Sequence, residues 1–288
     1  MKKIGALEEV FNEFYTQVAP SHHLVEGILY SLRAGGKRIR PMLFLEVLES
    51  FGVDLVKAHF QLAAALEMIH TASLIHDDLP AMDNDDYRRG VLTNHKVYGE
   101  DKAILAGDSL FLDPFALMAS ADLPAPILIQ LVRDLSLASG TFGMVAGQVL
   151  DMEGEEKYLS LQELEKIHIN KTGQLLIYPF KAAGLVLELE QEESDLLIQV
   201  GRHIGLAFQI RDDILDEIAS FEDLGKTPGK DAKAGKSTYP RLLGLDQAKL
   251  YLNQTLDQAV QAVALLEKNN QFSGTLLRNR IESLRINE

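Results

Sequence analysis

Two groups of aspartates stand out by their spacing. One is Asp77-Asp78 with Asp83, inside Ser73-Leu74-Ile75-His76-Asp77-Asp78-Leu79-Pro80-Ala81-Met82-Asp83. The other is Asp212-Asp213 with Asp216, inside Gln209-Ile210-Arg211-Asp212-Asp213-Ile214-Leu215-Asp216. Each ends a stretch that is otherwise apolar. A helix does not gather carboxylates at a buried end without a counter-ion, because desolvating them is expensive. Carboxylate oxygens suit magnesium, which keeps several waters and shares its shell with substrate phosphates. Two aspartate faces are therefore expected to hold a diphosphate between them through bridging ions. A single Asp-Asp pair in so acidic a chain would read as solvated surface; two triplets of similar spacing on long apolar helices do not.

The elements that must position these groups are helices. In the stretch 58–79, Leu62, Leu66, Ile69 and Leu74 recur at helical spacing; in 194–218, Leu197, Val200, Ile204, Phe208 and Ile214 do the same. At about 100° per residue, Asp83 would point about 240° away from Asp77 on a straight helix. Pro80 disfavours helix at Leu79 and clashes with the preceding turn, so the chain is expected to bend and bring Asp83 back. Asp212 and Asp216, one turn apart on one face, need no bend.

Cations recur beside the aspartates. Gly35-Gly36-Lys37-Arg38-Ile39-Arg40-Pro41 sets them at a glycine turn leading into a helix, where backbone amides also favour an anion. Arg88-Arg89-Gly90 follows the first cluster, and Lys171-Thr172-Gly173 interrupts a helical segment. Lys226 and Lys236 stand in a glycine-rich stretch after the second cluster. Arginine suits bidentate phosphate contacts and lysine serves as a point charge.

Composition bounds the rest. With 42 acidic against 28 basic residues, the net charge of -14 argues against a binder of nucleic-acid backbones. The absence of cysteine removes disulfides and thiolate metal sites and fits a reducing compartment. The opening MKKIGALEEVFNEF meets glutamates too early for a signal peptide, and no uninterrupted apolar run reaches about 18 residues. A cytoplasmic protein without a membrane span is the expectation. Proline and glycine punctuate the chain without a long linker or repeat. This suggests one all-α domain over 1–288, the alternative being two bundles meeting near 151–160.

Together, HDDLPAMDNDDYRRG, GGKRIRP, NKTG, FQIRDDILD and GKST resemble the trans-isoprenyl diphosphate synthases, over about Gly35 to Leu245. Among them the match is to the bacterial farnesyl type and its geranylgeranyl relatives, whose first motif carries the same insertion as Pro80-Ala81. The resemblance implies a single large helical bundle of the isoprenoid synthase type with a central cavity, and a homodimer. It implies that Asp77, Asp83 and Asp212 hold about three Mg²⁺ ions, with Asp78, Asp213 and Asp216 as direct or outer partners. Arg88, Lys171 and Lys236 would grip the allylic diphosphate, with Lys226, Thr172 and Gln209 completing that site. Gly36, Lys37, Arg40, His70 and Arg89 would bind isopentenyl diphosphate.

The chemistry agrees with those assignments. Positive charge around a departing diphosphate favours an allylic carbocation. The isopentenyl double bond attacks that carbon, and a proton is lost to the diphosphate, so no protein base is required. Closure of the 226–237 loop would exclude water.

Other readings compete. Glu67-Met68-Ile69-His70 and Glu165-Lys166-Ile167-His168 are both E-x-x-H, the pairing of di-iron carboxylate bundles, but they need two further core glutamates and leave six aspartates unexplained. A metal phosphohydrolase using His76 and Asp77 lacks further metal-binding histidines. A class-I terpene cyclase usually replaces the second aspartate motif, and a non-catalytic partner subunit usually loses both; here both are intact. Product length should depend on residues one and two turns before Asp77: Ser73 and Ala72, then Met68 and Ala65. Small Ala72, commonly bulky in the farnesyl enzymes, leaves room for a C20 product, whereas Phe111 and Phe115 would limit it. Farnesyl (C15) is expected first, geranylgeranyl (C20) second.

Overall fold

The computed structural model describes residues 2–16, 19–155, 157–218, 236–268 and 271–286. The expected all-α architecture is what it shows. The helices are α1 (Lys2–Tyr15), α2 (His22–Arg33), α3 (Ile39–Ser50), α4 (Lys57–Asp77), α5 (Asn94–Tyr98), α6 (Glu100–Ala119), α7 (Ala125–Ser139), α8 (Met144–Gly154), α9 (Leu161–His168), α10 (Gln174–Val186) and α11 (Gln191–Ile218). Three more follow, Tyr239–Leu243, Leu245–Leu266 and Thr275–Glu282. A two-residue antiparallel hairpin, Tyr87–Arg88 with Val91–Leu92, is the one sheet among the described residues, and its turn is Arg89-Gly90. None of the described helices is long and apolar enough to cross a membrane.

Contacts divide the chain into two compact units, Met1–Leu45 with Leu55–Val132 and Glu46–Asp54 with Arg133–Glu288. The division falls inside α3 and inside α7, not near 151–160.

In the first unit α4 is the central element. Leu62, Ala63, Ala64, Ala65, Leu66, Met68 and Ile69 are all buried, so apolar residues surround the helix instead of forming one stripe. Its neighbour α6 comes close because Gly107 has no side chain; a Cβ there would lie 2.1 Å from His76 Nε2. His76 instead lies with Nε2 3.0 Å from the Ile104 carbonyl oxygen. On the other side of the unit, Tyr15 Oη donates to Asp113 Oδ2 at 2.9 Å, tying α1 to α6.

In the second unit α11 packs along Leu245–Leu266 and against α10. Gly201 and Gly205 face Phe180 and Gly173, which lets the backbones approach. Between α9 and α10 the chain widens into a π-turn, Ile169–Gly173. Ser160 and Glu163 form a capping box at the start of α9, Ser160 N–H donating to Glu163 Oε2 at 2.8 Å. The segment 46–54 joins this unit through Arg280, whose guanidinium binds Glu46 at 2.5 and 3.1 Å, and through Ser273 N–H donating to Ser50 O at 2.7 Å.

Candidate active site

The first aspartate cluster forms where α4 ends. Asp78 caps the helix, its N–H donating to Leu74 O, and the chain then turns through Leu79–Met82. Asp83 N–H donates back to Asp77 O at 2.8 Å, and Asp85 N–H to Asp78 O at 3.2 Å. The bend expected from Pro80 is therefore present, and it returns Asp83 to the backbone of Asp77. Asp77 is half-buried and Asp83 exposed, whereas Asp78 is buried.

Asp78 turns inward to Arg88. Arg88 Nε and Nη2 reach Asp78 Oδ1 at 2.9 and 2.5 Å, and Nη2 lies 3.5 Å from Asp85 Oδ2. Burial pushes the Asp78 carboxyl up, and Arg88 only partly counters it. Burial also disfavours the Arg88 charge, but Asp78 prevails and the guanidinium is held above its ordinary value. Asp78 thus serves the cluster by fixing Arg88.

A second set of cations gathers around Glu67, which is 1 % exposed on α4. Arg38, equally buried, donates from Nη1 to Glu67 Oε1 at 2.7 Å and from Nη2 to the Leu32 carbonyl. Arg89 Nη2 approaches the same Glu67 oxygen at 3.5 Å. Burial lowers the Arg40 pKa to about 10, with Glu67 opposing and Arg89 adding to the shift. Arg40 Nε is buried without a hydrogen-bond partner. Burial, then Arg40, Arg89, Arg88 and Arg38, hold His70 well below the ordinary imidazole value, so it offers a neutral ring. One carboxylate thus faces several guanidiniums, leaving positive charge for an anion to meet.

The glycine turn shapes this set. Gly36 has φ +111°, and a Cβ there would stand 2.7 Å from the Arg89 guanidinium. Arg38 and Arg89 both adopt positive φ, at 47° and 54°, which is uncommon outside glycine and is tolerated where the surroundings over-determine it. Lys37 is exposed beside them. In this reading Glu67 is the counter-ion of an arginine cluster and not half of an iron site.

The second aspartate cluster lies on unbroken α11, as expected. Asp212 is half-buried, while Asp213 and Asp216 are buried. Asp213 Oδ2 accepts from Tyr239 N–H at 3.0 Å and lies 3.6 Å from His168 Nε2. His168 stacks on Tyr239 with centroids 5.6 Å apart, and its Nδ1 is 3.4 Å from Gln209 Nε2. Glu165 accepts from Tyr251 Oη at 2.7 Å, so the second E-x-x-H is also engaged elsewhere.

Lys171 and Thr172 sit in the π-turn, half-buried. Such insertions often mark functional positions because they re-aim side chains within a helix. Lys171 Nζ binds Asp151 Oδ2 at 2.6 Å, and Lys236 Nζ binds the same oxygen at 3.2 Å. Lys226 and most of the 226–237 loop lie outside the described residues. Of the chain-length candidates, Ala72 and Met68 are completely buried, and half-buried Ser73 donates its hydroxyl to His70 O at 2.8 Å.

Among the described residues no three His, Asp or Glu side chains form a ready-made metal cage. Magnesium takes one or two carboxylates and completes its shell with water and substrate phosphate. The half-buried and exposed oxygens of Asp77, Asp83 and Asp212 are donors of the right kind.

The polyprenyl synthetase family model matches residues 21–271. The chain belongs to the polyprenyl synthetase family. It is 49 % identical over 277 residues to a farnesyl diphosphate synthase from Micrococcus luteus, covering 96 % of this chain and 93 % of that protein. Another farnesyl diphosphate synthase, from Geobacillus stearothermophilus, is 47 % identical over 85 % of this chain and 83 % of the relative. Among solved structures, the geranyltransferase of Helicobacter pylori complexed with magnesium and isoprenyl diphosphate matches at TM-score 0.83 and 31 % identity, covering 98 % of this chain and 94 % of that one. Members of the polyprenyl synthetase family are prenyltransferases, and this chain is accordingly an enzyme of isoprenoid biosynthesis. The sequence reading leaves out Asp151, sets Arg38 among the cations without a partner, and considers Glu67 only in the di-iron alternative. The first carried a faint signal, Gly147 and Asp151 one turn apart on a helix; the other two depend on tertiary pairing.

Proposed function

We propose that the protein condenses isopentenyl diphosphate with the allylic diphosphates dimethylallyl and geranyl diphosphate to give farnesyl diphosphate. The observation that supports this most directly is that the compact unit of each aspartate cluster also carries cations held on buried or half-buried carboxylates. Arg88, Arg89 and Arg40 accompany the first, and Lys171 and Lys236 belong to the unit that carries the second. About three Mg²⁺ ions, held by Asp77, Asp83 and Asp212 with Asp78, Asp213 and Asp216 in support, would neutralise the diphosphate's charge when bound. In this proposal the allylic diphosphate depends on each cluster.

The residues then divide the labour. Arg88, Lys171 and Lys236, with Lys226, Thr172 and Gln209, hold the allylic diphosphate as its carbon–oxygen bond breaks. Arg40, Arg89, Lys37 and neutral His70, on the Gly36 turn, hold isopentenyl diphosphate so that its double bond reaches the allylic carbon. Forming the new carbon–carbon bond moves the positive charge to the isopentenyl unit, and a proton leaves to the released diphosphate. No protein base is involved, because the released diphosphate takes the proton, and His70 serves in binding.

A C20 product is the second reading, favoured by Ala72, which offers no bulk where a growing chain would be stopped. Pairing as a homodimer finds support in an apolar face on and just before α8, where Phe142 is 76 % exposed and Val145, Val149 and Met152 follow at helical spacing. A cytoplasmic location is in keeping with the cysteine-free sequence. The test is chromatographic sizing of product from labelled isopentenyl diphosphate and dimethylallyl diphosphate. C15 formed with Mg²⁺ and lost with chelator is expected; no prenyl product under any metal condition overturns the proposal, and mainly C20 selects the second reading.

A further inference from the structure

Asp151 belongs to neither aspartate cluster, and the reaction as described makes no use of it. Its carboxylate is nonetheless 18 % exposed on α8, and one of its oxygens serves two lysines that are distant in sequence. Lys171 Nζ lies 2.6 Å and Lys236 Nζ 3.2 Å from Oδ2. Glu155, one turn further on, stands with Oε1 3.6 Å from Lys236 Nζ, and Arg241 Nη1 donates to Lys236 O at 3.1 Å.

The arrangement is built into the backbone. Gly147 precedes Asp151 by one turn on the same face of α8, and a Cβ at Gly147 would lie 2.0 Å from Lys171 N. The missing side chain lets α8 reach the π-turn, and that approach sets Asp151 beside the Lys171 ammonium. The π-turn that carries Lys171 packs against α8.

We propose that Asp151 is the positioning residue of the allylic diphosphate site: a single carboxylate oxygen holds the Lys171 and Lys236 ammonium groups together for one diphosphate to engage both. The inference rests on assigning those two lysines to that diphosphate. Two ammonium groups repel each other, and each long side chain loses rotamer freedom when fixed. Asp151 meets both costs before substrate arrives, which is preorganisation. It need not compete with the substrate, because an ammonium has three donors and can keep one on Asp151. Asp151 and Glu155 together balance the two ammonium groups, so what the site offers an incoming anion is their remaining N–H donors, held in place. Burial raises the Asp151 pKa, but Lys171 and Lys236 outweigh it and hold the carboxyl below its ordinary value, so it is ionised at neutral pH.

The experiment titrates dimethylallyl thiolodiphosphate, an allylic analogue that resists ionisation, into the full-length protein with Mg²⁺, alongside steady-state kinetics. Asp151→Asn should weaken its binding roughly 10- to 100-fold, the scale of lost charge-assisted hydrogen bonds. KM for the allylic substrate should rise in parallel while KM for isopentenyl diphosphate changes less than about twofold. Asp151→Glu should recover most of the affinity, and thermal unfolding should be near wild type in both variants. Lys171→Ala is the control on the assignment. If it binds the analogue normally, the assignment of Lys171 falls and this inference with it. If it binds weakly while Asp151→Asn binds as well as wild type or better, only the inference is overturned. A comparable rise in both KM values, or failure of Asp151→Glu to recover binding, also overturns it.

Discussion

The two aspartate clusters reach similar spacing by different constructions, and their cations differ in kind. The first is assembled by a broken helix: Pro80 ends α4, and Asp83 N–H returns to Asp77 O. Its cations are arginines fixed by buried carboxylates, Arg88 on Asp78 and Arg38 with Arg89 on Glu67. The second lies on unbroken α11, and its unit supplies lysines, point charges on flexible stems gathered by Asp151. A planar guanidinium array held by buried ion pairs suits a diphosphate that stays bound throughout a turn of the reaction. Movable ammonium groups suit a diphosphate whose charge grows as its carbon–oxygen bond breaks. In the proposed assignment Arg40 and Arg89 of the arginine set serve the non-reacting diphosphate, while Arg88 joins the lysines on the leaving one.

The largest effect should come from the clusters themselves. Asp77→Asn and Asp212→Asn should each lower kcat by about 10³-fold or more, the scale of losing preorganised charge at a leaving group. Single-turnover assays with saturating Mg²⁺ check this, and similar losses in both variants would mean that neither construction dominates. Next is Glu67→Gln. Removing one partner of a fully buried pair leaves Arg38 without its counter-charge, and about 3–5 kcal/mol of stability should be lost. Denaturant unfolding measures this. Since the Asp151 carboxylate is 18 % exposed, Asp151→Asn should leave the midpoint nearly unchanged, which separates the two regions by a second observable.

Gly36→Ala sharpens the comparison on the arginine side. The substitution strains a backbone at φ +111° and presses on the Arg89 guanidinium. KM for isopentenyl diphosphate should rise by about 10-fold, with allylic KM little changed, the reverse of the pattern at Asp151. The smallest effect is on acid stability. The Asp151 carboxyl is depressed in the folded protein, so its pairing contributes stability above the ordinary aspartate value of about 3.9 and loses it as pH falls through the lower folded value. Wild type should therefore lose stability more steeply than Asp151→Asn below about pH 4, as read from urea midpoints in a pH series.

Much of this was legible in the sequence because it depends on local rules. The apolar periods in 58–79 and 194–218 became α4 and α11 with ends shifted by at most three residues, and Pro80 produced the expected bend. The short hairpin at Tyr87–Leu92 was not expected; it is too brief for an alternating pattern, and only the turn at Arg89-Gly90 marks it. The Lys171-Thr172-Gly173 interruption was visible, but not that it is a π-turn, because the wider turn is compatible with the close approach of Gly147 from another helix. Likewise Arg38 and Arg40 are alike as letters, and the direct hydrogen bond of Arg38 to Glu67 distinguishes them. Partners chosen by tertiary approach leave no period in the chain.

The central claim is that binding of the allylic diphosphate depends on each aspartate cluster. Its most direct test is the Mg²⁺-dependent affinity of dimethylallyl thiolodiphosphate for wild type, Asp77→Asn and Asp212→Asn, measured by calorimetry. Each variant should bind at least about 10-fold more weakly than wild type, the scale of a lost charge interaction, and chelator should erase the difference between the three. Wild-type affinity in either variant, with the Mg²⁺ dependence intact, would contradict the account.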